Sequence, residues 1–240
     1  ADGLKIAFTS DRTGSVQVWI MNADGSGQTQ FSSELGDTVS PAWSPDGKKL
    51  AYGVSNGTDN DVVVRDVTGG SRLVVAGGPQ DQDFPVFTAD GASVIFNDDS
   101  AGGLSIVGAT GAGRRPFLSD AEQPDISPDG SKIVVVRTDI QRMQAVNADG
   151  SGGTPLLDNQ PVRRPAWSPD GTKVIYHRFV GSGVNSLFTV PSGGGGETRE
   201  TQVAPAVDFA PDWQPIGAAP VITGFPQPLV AGSPGATLIV

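Results

Sequence analysis

Apolar residues along this chain come in short bursts, each closed off by Gly, Pro, Asp or Ser. No segment sustains the 3.6-residue period of an amphipathic helix. One stretch shows the rhythm: "PAW" (41–43), "KKLAYGV" (48–54), "DVVVRDV" (61–67) and "RLVVA" (72–76) read as four strands joined by tight turns. The pattern predicts many short antiparallel strands and almost no helix.

The turn after the first of these strands is the most informative. "PAWSPDG" at 41–47 returns letter for letter at 165–171. Ser-Pro-Asp-Gly suits a type I turn followed by a left-handed residue, because Pro presets φ, Asp accepts the bridge region and Gly carries no Cβ. Pro45, Asp46 and Gly47, Pro128, Asp129 and Gly130, and Pro169, Asp170 and Gly171 are the turn residues read this way. Weaker copies end at Gly3, Gly91 and Gly130, and a last one carries Trp213 in place of Gly, giving intervals of 44, 44, 39, 41 and 42 residues. A Gly-rich turn follows in phase, as in "NADGSG" at 22–27 and 147–152. Two markers in phase define a repeat.

Four strands per period of forty-odd residues is the unit of a β-propeller blade. Pro41, Pro85, Pro124 and Pro165 precede an apolar slot held by Trp43, Phe87, Ile126, Trp167 and Phe209. Proline is admitted at a sheet edge, so this first strand is the edge lining the channel, and the slot residue wedges between blades. Lys5–Phe8 at the start and the isolated strand "AVDFA" (206–210) would together complete one blade and close the ring. The expectation is an all-β, five-bladed propeller over 1–215 followed by a β-rich tail over 216–240, with part of a six-bladed ring as the alternative.

"IAFTSDRTGSVQVWIMNADGSG" (6–27), "PAWSPDGKKLAY" (41–52) and "APDWQP" (210–215) resemble the TolB-like (WD40-like) propeller repeats, over roughly residues 3–215. The resemblance implies a periplasmic or extracellular binding protein. TolB itself has six blades behind an α/β domain, whereas five repeats and no helical segment are found here. "PVITGF" and "AGSPGATLIV" in the tail resemble the opening strands of an immunoglobulin-like (IPT/TIG-type) domain.

Composition narrows the function classes. The 240 residues carry a formal net charge of −10, which disfavours nucleic acid and anionic membrane surfaces as partners. No run of apolar residues is long enough to span a bilayer. The absence of Cys removes disulfides, thiolate zinc sites and thiol catalysis. The "ADG" start reads as a processed end or a shortened chain, and the former favours export.

The sole histidine, His177, lies in a strand slot held elsewhere by Thr9, Gly53, Asn97 and Val136. With no Gly-x-Ser-x-Gly elbow it reads as structural or solvent-facing. "NADGSG" lacks the carboxylate spacing of a calcium loop, so no cofactor or metal is expected, with calcium left open. Segments leading into the inner strands supply Asp37 and Thr38, Asp81 and Asp83, Glu122 and Gln123, and Arg163 and Arg164, which propeller geometry gathers at one channel mouth. This mixed rim is the candidate binding surface.

The reading that follows is a non-enzymatic, exported binding or scaffold propeller using one ring face for protein–protein contact. Two alternatives stay open. One is a glycoside-active propeller using Asp37, Asp83 and Glu122, which requires carboxyl groups about 5–10 Å apart. The other is a structural subunit of a surface or filamentous assembly that self-associates through residues 217–240, with a stub or a self-docked tail as the simpler fates of that segment.

Overall fold

The computed structural model describes residues 4–201 apart from 141, 159–160 and 182–183. The chain folds as a five-bladed all-β propeller. Its one short helical turn, among the described residues, is the 3₁₀ segment Asp99–Ala101.

Blade I comprises β1 (Lys5–Ser10), β2 (Gln17–Asn22) and β3 (Thr29–Gln30). Blade II comprises β4 (Thr38–Trp43), β5 (Lys49–Ser55), β6 (Asn60–Asp66) and β7 (Leu73–Ala76). Blade III comprises β8 (Gln82–Phe87), β9 (Ser93–Asp98), β10 (Gly103–Gly108) and β11 (Arg115–Ser119). Blade IV comprises β12 (Ala121–Ile126), β13 (Lys132–Arg137), β14 (Arg142–Asn147) and β15 (Thr154–Leu157). Blade V comprises β16 (Val162–Trp167), β17 (Lys173–Gly181), β18 (Val184–Pro191) and β19 (Thr198–Arg199). Every sheet is an antiparallel meander in sequence order. The closing strand expected at 206–210, the slot residue Phe209 and the tail at 216–240 lie outside the described residues.

The core is distributed between blades. On β5, Leu50, Tyr52 and Val54 pack toward blade I with Ala7, Val18 and Ile20, whereas Ala51 joins Phe87, Val94 and Phe96 of blade III. Ile95, Ala121, Ile133 and Val135 join blades III and IV, and Val134, Val136, Trp167 and Tyr176 join IV and V. Middle strands are therefore buried on both faces and read as continuous apolar runs instead of alternating ones. Trp43, Phe87, Ile126 and Trp167 each sit in or against one of these inter-blade clusters. Each fully buried Val, Leu or Ile contributes roughly 1.5–3 kcal/mol, and a lone blade would expose half of them.

The repeat turn is fastened by its own side chains. Ser44 Oγ donates to Asp46 Oδ1 at 2.7 Å, the Lys48 amide donates to the same carboxylate oxygen at 3.1 Å, and the Lys49 amide donates to Ser44 Oγ at 2.9 Å. The same three-bond pattern recurs at Thr88/Asp90, Ser127/Asp129 and Ser168/Asp170. Serine side-chain and backbone amide bonds hold the Asp129 and Asp170 carboxyls down at about 2. Gly47, Gly91, Gly130 and Gly171 occupy the left-handed position, with φ of 69°, 68°, 72° and 68°. These turns lie at the end of the inner strands opposite the candidate rim.

Candidate binding site at the channel mouth

The inner strands begin earlier than the apolar pattern indicates. Thr38, Asp83, Glu122, Gln123, Arg163 and Arg164 belong to β4, β8, β12 and β16 and not to the loops before them. Thr38 and Val39 already pair with Val54 and Gly53, and the ladder then slips before resuming at Ala42. Equivalent slips fall between Asp83 and Val86, Glu122 and Asp125, and Arg163 and Ala166.

Each slip contains a residue followed by the repeat proline. Ser40, Phe84, Gln123 and Arg164 have φ of 53°, 49°, 54° and 53°. A non-glycine residue in this region costs on the order of 1–3 kcal/mol, and such strain persists where the surrounding fold dictates it. The proline lacks the N–H that a regular ladder would use, which makes the slip tolerable there. Four blades repeat the same strained element, and it re-aims one side chain per blade.

Those side chains meet. The Arg164 guanidinium of blade V donates from Nη1 to Ser40 Oγ of blade II at 3.0 Å and lies over the Phe84 ring of blade III at 4.0 Å from its centroid. The Arg164 amide donates to Gln123 Oε1 of blade IV at 2.6 Å, and the Gln123 amide donates to Asn97 Oδ1 of blade III at 2.8 Å. Residues from four blades thus close on the axis.

Electrostatics around this knot are strained as well. Burial pushes the Asp83 carboxyl up to about 7, opposed by a hydrogen bond with Asn97 and by Arg164 and reinforced by repulsion from Asp81 and Asp99. Burial also raises Glu122, with Arg163 opposing. Burial brings Arg164 down to about 10, with Asp83 opposing and Arg163 adding repulsion, and His177 to about 4 with both arginines contributing. Neither Arg163 nor Arg164 has a carboxylate within ion-pair distance among the described residues.

The eight rim residues read from the sequence divide into two groups. Asp37 accepts from the Val16 amide at 2.9 Å, and Asp81 accepts from the Asn60 amide at 2.9 Å and from Asn60 Nδ2 at 3.0 Å, so each ties its blade to the preceding one. Thr38 is fully buried, with Oγ1 bonded to the Val16 carbonyl, and Gln123 is buried in the knot. Asp83, Glu122, Arg163 and Arg164 remain as the groups facing one another electrostatically. His177 is buried opposite Arg163 in the β16–β17 ladder, in the slot that Gly53, Asn97 and Val136 fill in blades II to IV; it does not face solvent.

Ser40 and Phe84 are part of the site although the sequence reading passed over them. Their signal is the place immediately before the repeat proline. Among the described residues, no group of three or more His, Asp or Glu side chains is disposed to hold a metal ion.

Comparison with known proteins agrees with this architecture. The family model described as the TolB beta propeller domain matches residues 1–120 and 28–217. The Tol-Pal system protein TolB of Histophilus somni is 38% identical over 78 residues, covering 31% of this chain and 18% of that protein. The structure of TolB from Acinetobacter baumannii superposes with a TM-score of 0.69 at 20% identity, over 83% of this chain and 53% of that one. An oligogalacturonate lyase from Vibrio parahaemolyticus shares the fold at a TM-score of 0.55 and 15% identity, over 82% of this chain and 62% of that one. The chain spans about half, or less, of the length of the curated relatives it matches.

Proposed function

As the chain belongs to the TolB beta propeller domain family, we propose that it is a non-enzymatic binding propeller that docks a protein partner on the channel mouth formed by Asp83, Glu122, Arg163 and Arg164, in the periplasm or outside the cell. The observation that carries this reading is the knot of four strained residues. A fold accepts several kcal/mol of backbone strain where the strained groups present chemistry. Here they hold a guanidinium at the axis with no carboxylate within ion-pair distance among the described residues. Among the described residues no helix is long and apolar enough to cross a membrane. The relative from Histophilus somni is named a Tol-Pal system protein, and membership of a multi-protein system fits a docking role.

The test is site-specific photo-crosslinking in a periplasmic extract, with the photoreactive residue at Glu122 on the mouth or at Lys48 on the opposite face. Discrete adducts from position 122 that are absent from position 48 support the docking face, and indistinguishable patterns reject it.

A second reading, carbohydrate-active chemistry at the same mouth, draws on the half-buried Asp83 carboxyl, whose value of about 7 suits a general acid near neutral pH. Asp37, the third carboxylate considered for it, is occupied by the Val16 amide. Turnover of a polysaccharide panel that disappears in Asp83→Asn would favour this reading over docking.

A further inference from the structure

We infer that Arg163 and Arg164 form a carboxylate-binding site, and that its ligand is an acidic segment of a partner polypeptide. The inference rests on the docking face proposed above and names the chemistry that face selects.

A guanidinium carries five N–H donors in a planar fork matched to carboxylate oxygens. Among the described residues, Ser40 Oγ is the acceptor the Arg164 guanidinium finds, and one face of its plane is covered by the Phe84 ring. The remaining donors belong to a half-buried side chain, where water reaches them less freely than on an open surface. Arg163, the preceding residue, is exposed and has no ion-pair partner among the described residues. Arg178, also on blade V, is committed to Glu197 and is not part of this set. Asp83 and Glu122 lie near enough to feel these arginines but neither closes to ion-pair distance, so two adjacent guanidiniums, one of them already positioned, keep donors for an incoming carboxylate whose ordering cost is largely met in advance. The strained backbone at Arg164 is the means of positioning, because a regular strand would send consecutive side chains to opposite faces.

The surroundings select a polypeptide over other anions. With a net charge of −10, the protein repels a nucleic acid, whose charge is continuous along the chain, while carboxylates spaced by apolar residues can be admitted locally. A saccharide acid wants an exposed aromatic platform, and Phe84 already lies beneath Arg164. Beyond His177, which is paired with Arg163, β17 continues to Phe179 and Val180, exposed at 53% and 37%. An apolar tip therefore rises on the blade that supplies both arginines, suiting a segment in which acidic and apolar side chains alternate.

The probe is a blocked octapeptide of alternating Glu and Leu, compared by calorimetry and fluorescence anisotropy with its Gln-for-Glu counterpart. The Glu peptide is expected to bind at least tenfold more tightly, with affinity falling as salt rises. Arg163→Gln combined with Arg164→Gln should reduce it to the level of the Gln peptide, while Lys48→Gln on the opposite face leaves it unchanged. Arg163 is exposed, so Arg163→Gln alone keeps a folded protein in hand and should lose at least threefold. Equal affinity for the two peptides, unchanged binding by Arg163→Gln, or tighter binding of an oligogalacturonate than of the Glu peptide each overturns the inference. Should any of these occur while Glu122 still yields specific crosslinks, the docking face stands and only its carboxylate chemistry is lost.

Discussion

Arg164 Nη1 donates to Ser40 Oγ at 3.0 Å, and these residues hold the same position in two copies of the repeat, 124 residues apart. Both stand immediately before the "PAWSPDG" heptapeptide. A propeller brings equivalent positions of every blade to its axis, so a repeat identity in sequence becomes a contact in space. The pairing is asymmetric, since a guanidinium in one copy answers a hydroxyl in the other.

That contact predicts a measurable coupling. Ser40→Ala, Arg164→Gln and the double variant should form a thermodynamic cycle with a coupling of about 0.5–1.5 kcal/mol, the range of a partly buried hydrogen bond. Additive denaturation free energies would show that the bond contributes nothing to stability.

Gly47→Val and Gly171→Val should each destabilise by about 1–3 kcal/mol, because a β-branched residue resists φ near +68°. Nothing lies within 4 Å of a Cβ built at Gly47, so its cost is conformational and not steric. Chemical denaturation of the two variants checks this; unchanged midpoints would contradict it.

Asp83 makes stability depend on pH in a defined window. Its folded value of about 7 lies above the ordinary 3.8, so its contribution is fully present below pH 3.8 and is lost as pH rises through 7. Asp83→Asn should therefore match wild type near pH 4 and exceed it by about 1–3 kcal/mol at pH 8.5, after allowing for the solvent that still reaches the group. Comparing the two proteins at each pH cancels His177, whose depressed value of about 4 has the opposite effect: its contribution is present above pH 6.5 and lost on acidification. A constant difference across the range would argue against a perturbed Asp83.

Asp81→Ala removes the acceptor of two Asn60 donors that bridge blades II and III. The loss should be about 1–3 kcal/mol, the cost of stranding partly buried donors. Hydrogen exchange should report it as faster opening of the Asn60 amide, whereas exchange spread evenly over the ring would place the effect elsewhere.

Much of the fold was legible in the chain because it depends on local chemistry. Gly47, Gly130 and Gly171 declared their turns through the left-handed position, and Ser, Pro and Asp beside them supplied the fastening. The in-phase spacing of these turns determined the blade unit and the blade number, and the aromatic slot of Trp43, Phe87 and Trp167 declared where blades meet. The strand starts are not legible in the chain: Thr38 and Arg163 stand in polar stretches whose strand pairing is dictated by the neighbouring strand, not by their own hydrophobicity.

The site itself was decided in three dimensions. By sequence alone Asp37, Asp81, Asp83 and Glu122 are equivalent rim carboxylates, and only the structure separates those accepting a neighbouring blade's amide from those facing the arginines. Ser40, Phe84, Gln123 and Arg164 share little as residue types, and a proline ordinarily steers the residue before it away from a helical φ. Their common left-handed conformation is imposed by the slip in the inner-strand ladder, and their convergence by the curvature of the ring. Local propensity acts over a few residues and can therefore be read along the chain, whereas the knot at the axis joins side chains from four blades and exists only once the blades have packed around it.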